Sequence, residues 1–306
     1  MFRKKIKEDG NNYTNLLSLN FSELSEFIED YKPTTIMCAD GFDMTAASSK
    51  DRNAKFHGDV EFGSSLEASK RLLTIGYQPK QMKGAFAGFD TAFESSQEVI
   101  KMAEEGYAFD IPSILSGDDE VWFKRKNMGE APSIHIVFEG GANANIPAMN
   151  FYIQSAVVTK LSEILSEEAH IRVSATYSAK KQGKDSATGK QVDNVTYISM
   201  KDYDEPVDNR RLGAVSHPSF FRRIVFSILE NGSDEFFGKD YRVSSGYGRQ
   251  ADRKELGVTD ELENSLFESD IVVNIPSPSD DAFRNVENAV AFCKARLSEI
   301  NALKVA

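Results

Sequence analysis

A short glycine-containing loop is the first place where the sequence offers groups that could hold a ligand. Ile134 to Phe138 is an apolar run typical of a buried strand, and a loop of small residues follows it before a predicted helix. The residues of this loop are Glu139, Gly140, Gly141, Ala142, Asn143, Ala144 and Asn145. Backbone N–H groups at a helix N-terminus favour anions, but the loop lacks a P-loop lysine and Glu139 would repel a phosphate. Phosphate binding and a loop that only turns the chain tightly both stay open.

The same loop resembles, by its position, the metal-binding loop of the von Willebrand A family. In that family a strand ends in Asp-x-Ser-x-Ser, whose oxygens hold magnesium, and a later strand ends in a Ser/Thr-Asp-Gly turn. Here Gly141 and Asn143 replace the two serines, and Ser245 replaces the aspartate of the turn. Mg²⁺ needs hard, mostly charged oxygens. We therefore predict that Glu139, Asn143 and Ser245 lie together at the sheet edge without a tightly bound metal.

A cluster of arginines forms the second candidate site. Between Asn209 and Arg223 the chain contains no acidic residue. It carries Arg210, Arg211, Arg222 and Arg223 there, together with the step His217-Pro218. Guanidinium groups suit phosphates and carboxylates, so these residues could contact nucleic acid or an acidic partner. The alternative is that the arginines pair internally with Asp202, Asp204, Glu205 and Asp208 just upstream.

Motifs of known enzyme classes are missing from the sequence. His57, His135, His170 and His217 have no metal-ligand spacing, and no serine stands in a GxSxG turn. The acidic stretch around Asp202 is typical of a solvated loop, because nothing in it separates the pKa values of two carboxylates. We predict neither catalytic residues, nor a cofactor, nor a metal.

Alternating strands and helices predict the fold class. Expected strands are 134–138, 171–177, 195–200, 241–244 and 270–275, and expected helices are 149–167, 218–229, 260–267 and 281–301, the last with Cys293 in its core-facing stripe. This order predicts a doubly wound, largely parallel, three-layer α/β/α sheet that is Rossmann-like and von Willebrand A-like, over residues 131–306. We expect residues 1–19 to form a loose arm and residues 20–130 a mainly helical region with helices at 64–75 and 91–105. The first of its helices begins with a capping box at Asn20 and Glu23.

Composition limits the function classes. The chain has 306 residues, a net charge of -11 and 27% charged residues, which opposes non-specific binding to phosphate backbones or anionic lipids. Its two cysteines, Cys38 and Cys293, are far apart and favour a reducing compartment. No apolar run is long enough to span a membrane, so we expect a cytoplasmic protein.

Three segments resemble an uncharacterised domain family encoded mainly by tailed bacteriophages. They are residues 106–122, residues 199–230 and residues 243–249. The resemblance covers about residues 60–300. Together with the von Willebrand A-like order, its lost metal ligands and the arginine cluster, it leads us to expect a phage-encoded, non-enzymatic adaptor or assembly protein in the host cytoplasm. Such a protein would act in viral nucleic-acid processing, by binding a viral or host protein or a nucleic acid. The alternatives are a nucleotide- or metal-binding enzyme that uses the loop from Glu139 to Asn145, and a structural component of the virion.

Overall fold

The computed structural model describes residues 2–10, 12–24, 76, 80–93, 102–103, 108–109, 122–123, 131–143, 145–184, 189–205, 208–225 and 251–305. The strands are β1 (Phe2–Asp9), β2 (Asn12–Asn20), β3 (Met102–Ala103), β4 (Ala108–Phe109), β5 (Trp122–Phe123), β6 (Ser133–Glu139), β7 (His170–Lys184), β8 (Gln191–Lys201) and β9 (Ile271–Ile275). The helices are α1 (Lys80–Phe93), α2 (Ala148–Leu165), α3 (Asn209–Val215), α4 (Asp260–Phe267) and α5 (Val286–Val305), with a π-helical turn at Phe220–Val225 and a 3-10 turn at Asp281–Phe283.

The main sheet is mixed. Six strands lie in the order β1-β2-β8-β7-β6-β9, and β3, β5 and β4 form a separate small sheet. The pairs β2–β8, β6–β7 and β6–β9 are parallel, whereas β1–β2 and β7–β8 are antiparallel. The expected largely parallel sheet is therefore only partly realised. Short connections join β1 to β2 and β7 to β8, and a short connection forces antiparallel pairing because a parallel pair needs a long crossover.

The N-terminus does not form the expected loose arm. β2 lies between β1 and β8 and buries Leu16, Leu17 and Leu19. Consecutive strand residues face opposite sides of a sheet, so Leu16 and Leu17 enter different cores. Because the residues around these leucines are polar, the sequence pattern of this segment did not indicate a strand. The predicted capping box is confirmed, since the Asn20 Oδ1 atom accepts from the Glu23 N–H at 2.8 Å and the Glu23 Oε2 atom accepts from the Asn20 N–H at 2.9 Å.

Apolar clusters cover both faces of the sheet. Ile134, Ile136 and Phe138 of β6 pack in the larger cluster with residues of α1, α2 and α5. Val137 of β6 faces the other way, into a smaller cluster with α4 and residues 251–258. This alternation along β6 fits a strand buried on both faces. Cys293 lies in the larger cluster and is buried, as predicted.

Most of the elements predicted in the C-terminal half are confirmed. Predicted helix 149–167 is α2, helix 260–267 is α4, strand 134–138 is β6 and strand 270–275 is β9. Predicted strands 171–177 and 195–200 are β7 and β8, which pair as an antiparallel hairpin. The final helix starts later than predicted, after the 3-10 turn. The predicted helix at 218–229 is helical over its described residues 218–225, of which 220–225 form the π-helical turn, and α3 precedes it as a short helix that was not predicted.

Several predictions fall outside the described residues. These are the helix at 64–75 and the strand at 241–244. The helix predicted at 91–105 is wrong where it is described, because residues 91–93 end α1 and residues 102–103 form β3, which pairs with β5. The division of the chain at residue 131 stays a prediction, although β1 and β2 belong to the same sheet as β6 to β9. Among the described residues, no helix is long and apolar enough to cross a membrane.

Candidate functional site

The carboxyl ends of β6 and β9 lie side by side. The chain leaves β6 for β7 through α2, which packs in the larger cluster, whereas α4, in the smaller cluster on the other face, leads into β9. At the carboxyl edge the chain also leaves β9 for α5, which packs in the larger cluster with α2, so the connections that leave β6 and β9 run over the same face of the sheet. In α/β sheets ligands bind outside the carboxyl ends of the strands.

The loop after β6 is held from inside the protein through its carbonyl oxygens. The Gln154 side chain on α2 donates to the carbonyl of Glu139 at 2.9 Å and to that of Pro276 at 2.6 Å, so it ties the end of β6 to the end of β9. The Ser277 hydroxyl donates to the carbonyl of Gly141 at 2.9 Å. The Arg222 guanidinium donates to the carbonyl of Asn143 at 3.0 Å. Three separate donors fix this loop, which favours a structural turn over an open phosphate cradle.

Gly140 and Glu139 are fitted against β7. A Cβ atom at Gly140 would lie 2.8 Å from the ring of Tyr177, so a side chain has no room at this position. The backbone N–H of Ser178 donates to the Glu139 carboxylate at 3.1 Å. This contact holds the Glu139 carboxylate against β7. Asn143 and Asn145 are exposed on the loop, and Ser245 lies outside the described residues.

The predicted arginine surface is not formed as expected. Arg222 is only 1% exposed, and burial lowers the pKa of its guanidinium to about 10. His217 is also buried, and its Nδ1 atom accepts from the Ser219 N–H at 3.1 Å. These two residues were predicted to contact a partner, and both face the interior instead. Only the backbone of Arg223 is described, within the π-helical turn.

The other two arginines lie at the start of α3. Arg210 is exposed. The Arg211 guanidinium donates to the carbonyl of Met200 at 3.2 Å, lies 4.6 Å from the Phe21 ring centroid and is 3.9 Å from the Glu205 carboxylate. Asp208 caps the helix by accepting from the backbone N–H groups of both arginines. Arg211 thus has an upstream acidic partner in Glu205, whereas Arg222 is held by a carbonyl oxygen of the loop after β6.

A buried ionic network on the other face of the sheet was not predicted. The Arg253 guanidinium lies 3.2 Å from the Glu263 carboxylate, which also accepts from the Tyr197 hydroxyl at 2.5 Å. Burial raises the pKa of Glu263, and the charge of Arg253 opposes this effect. No motif marks these residues. One signal was available, because Glu263 stands four residues before the core residue Phe267 and so shares its buried helix face.

A groove of about 720 Å³ runs along β9 beside this network, and we call it the edge groove. All five residues of β9 line it, together with Glu139, residues 251–254 and the C-terminal half of α5. Its volume falls within the roughly 300–1,000 Å³ of small-molecule binding clefts. The groove reaches the carboxyl ends of β6 and β9 at Glu139 and Pro276, and its lining includes neither Asn143 nor the arginines of the cluster.

Metal ligands are not gathered here. Over the ranges that the structure describes, no group of three or more His, Cys, Asp or Glu side chains could hold a metal ion. His135 lies in the core, with its Nε2 atom 2.8 Å from the Ser174 hydroxyl. Burial, and after it the charges of Arg172 and Arg253, holds the pKa of His135 well below its usual range.

Fold and site together define a mixed α/β protein with a six-stranded sheet and a groove along one edge strand. The chain belongs to a family described as a domain of unknown function (DUF7192), which matches residues 4–301. The predicted membership in an uncharacterised domain family is confirmed at this level. Neither a curated protein nor a solved structure matches the chain.

Proposed function

We propose that the chain is a non-enzymatic adaptor or assembly protein that binds a partner protein in the edge groove. The observation that carries this proposal is the groove itself, at the carboxyl ends of β6 and β9, where α/β sheets bind their ligands. Leu303, on the rim of the groove, is 59% exposed. An exposed leucine beside a groove of this size suits a protein surface better than a small polar substrate.

The biological setting of the proposal comes from the sequence resemblance to a domain encoded mainly by tailed bacteriophages. In that setting the partner is a viral or host protein of the nucleic-acid processing machinery in the host cytoplasm. Direct nucleic-acid binding through the arginine cluster has less support, because Arg222 and His217 are buried. A protein partner is therefore the form of the proposal that the geometry favours.

The proposal includes a degenerate von Willebrand A-like arrangement in the C-terminal half. Its support is the position of the loop after β6 beside the end of the neighbouring strand β9. Ser277 and Ser279 stand at the end of β9, with their hydroxyl oxygens 2.6 Å apart. The Ser277 hydroxyl donates a hydrogen bond to the carbonyl of Gly141 in the loop. Contacts within the protein take the place that metal coordination has in the family.

Site-specific photocrosslinking tests the proposed function. Benzoylphenylalanine replaces Leu303 in the groove or, as a control, Glu287, which lies on the same helix but does not line the groove. We expect a discrete protein adduct from position 303 in phage-infected cells and none from position 287. Adducts of equal yield at both positions, adducts with nucleic acid only, or no adduct at position 303 would contradict the proposal.

A further inference from the structure

The two edges of the main sheet differ in their chemistry. β1, at one edge, carries Arg3, Lys4, Lys5 and Lys7, and lysines on an edge strand oppose pairing with another chain. β9, at the other edge, has the sequence Ile-Val-Val-Asn-Ile and no charged residue. Among the described residues β9 pairs with β6 alone. Over the part of the chain that the structure describes, the edge at β9 thus carries none of the lysines that protect the edge at β1.

The backbone of β9 presents hydrogen-bonding groups to the edge groove. Asp270, just before β9, donates its N–H to the carbonyl of Ser133 on β6 at 2.8 Å. Backbone groups of successive strand residues point to alternate sides, so those of Ile271, Val273 and Ile275 point away from β6. An edge strand of this kind is a template for a further strand.

The two walls of the groove differ, so the two faces of an added strand would meet different side chains. Val273 and Ile275 face the cluster that contains α5, and Phe292, Ile300 and Leu303 of this helix line the groove on that side. Val272 faces the other cluster, on the side where residues 251–254 line the groove. Because strand side chains alternate, every second side chain of an added strand would meet the apolar residues of α5.

Charge favours a basic occupant. Five carboxylates line the groove, against three cations. Each cation already lies beside an acid: Arg253 is 3.2 Å from Glu263, Lys254 is 3.2 Å from Asp260, and Arg296 is 2.6 Å from Glu299. The lining also contains Asp252 and Asp280, whose carboxylates accept from the backbone N–H groups of Lys254 and Ala282, and Glu139, whose carboxylate is held by Ser178. The groove is therefore complementary to positive charge.

We propose that the edge groove accepts an extended basic segment of the partner protein as an additional strand beside β9. The segment alternates apolar residues, which pack on α5, with lysine or arginine residues, which face the carboxylates. Five residues match the length of β9, about 16 Å at the usual rise per residue. This inference rests on the proposed function and names the chemistry of the partner.

Fluorescence anisotropy with labelled peptides and the full chain tests the inference. The probes are a six-residue peptide of alternating lysine and valine, its counterpart of glutamate and valine, and the basic peptide with N-methylated backbone nitrogens on alternate residues. We expect the basic peptide to bind at least about tenfold more tightly than the acidic one, and less tightly as salt rises. N-methylation should weaken binding about tenfold, because it removes the strand donors without changing the protein.

Matched variants locate the binding site. Asp252→Asn neutralises a groove carboxylate and keeps an acceptor for the Lys254 N–H, so the basic peptide should bind about threefold less tightly. Glu255→Gln changes an exposed carboxylate just outside the lining and should have no effect. Leu303→Ala should weaken binding about fivefold through lost apolar contact.

The inference is overturned if the basic and acidic peptides bind equally, if neither binds, or if N-methylation has no effect. It is also overturned if Asp252→Asn and Glu255→Gln behave alike. These outcomes are separate from a failure of the proposed function. A crosslinked protein at position 303 without selective binding of the basic peptide keeps the adaptor role and removes strand addition, whereas an empty crosslinking experiment removes the adaptor role.

Discussion

Replacing Gly140 by alanine tests whether the loop after β6 is a tightly fitted structural turn. The new Cβ atom would lie 2.8 Å from ring atoms of Tyr177, about 0.7 Å or more inside the optimal carbon–carbon separation. Tyr177 has little room to retreat, because its ring stacks on Phe221 at 5.4 Å and lies 6.2 Å from Phe220. Either the loop or the aromatic cluster must therefore move.

The expected cost follows from this geometry. Overpacking a well-packed core costs about 1–3 kcal/mol. Alanine recovers about 0.4–1 kcal/mol by restricting the unfolded chain. The net loss of unfolding free energy is at most about 2.6 kcal/mol, and the expected fall in Tm is at most about 10 °C.

Thermal and urea unfolding, followed by circular dichroism, measure the change. Gly84→Ala is the matched control, since Gly84 lies exposed in α1 with no atom within 4 Å of its Cβ position. Alanine there should stabilise the protein by about 0.5–1 kcal/mol. Opposite signs for the two substitutions are the expected result. A Gly140→Ala protein that melts at or above the wild-type Tm would refute the fitted-turn interpretation.

Four further predictions concern buried groups and the loop. Arg222→Ala should lower the unfolding free energy by about 2 kcal/mol or more, because it leaves buried carbonyls without their donor; wild-type stability would show that the guanidinium is not needed inside. Calorimetry with Mg²⁺ or Mn²⁺ should show no micromolar binding, and saturable binding abolished by Glu139→Ala would contradict this. Burial raises the pKa of Cys293 to about 12, so peptide mapping should find its thiol unmodified by an alkylating reagent at pH 8 until urea is added. The pKa of His135 is depressed in the folded protein, so the unfolded chain takes up the proton first as pH falls below about 6.5. The unfolding free energy should therefore fall by up to about 1.4 kcal/mol per pH unit. His135→Gln should reduce this slope, and equal slopes for the variant and the wild type would refute the assignment to His135.

Local patterns in the sequence predicted much of the C-terminal half. The apolar runs of β6 and β9 and the periodic faces of α2, α4 and α5 are properties of neighbouring residues, and they were correct. The capping box at Asn20 was correct for the same reason, since both hydrogen bonds join residues three positions apart. The sequence also placed the loop after Glu139 at the end of a buried strand.

Tertiary packing decided the rest. Arg222 looks like a surface cation in the sequence, but it reaches the carbonyl of Asn143, 79 positions away, and this contact makes burial of its charge tolerable. β2 owes its buried place to β8, its parallel partner more than 170 positions further along the chain. The edge groove is formed by β9, α5 and residues 251–254. The path of the chain in the fold brings these segments together, and no local pattern indicates it. Side-chain types determine what a residue can bind, whereas long-range packing determines whether it meets solvent, and for Arg222 and β2 no local pattern indicated burial.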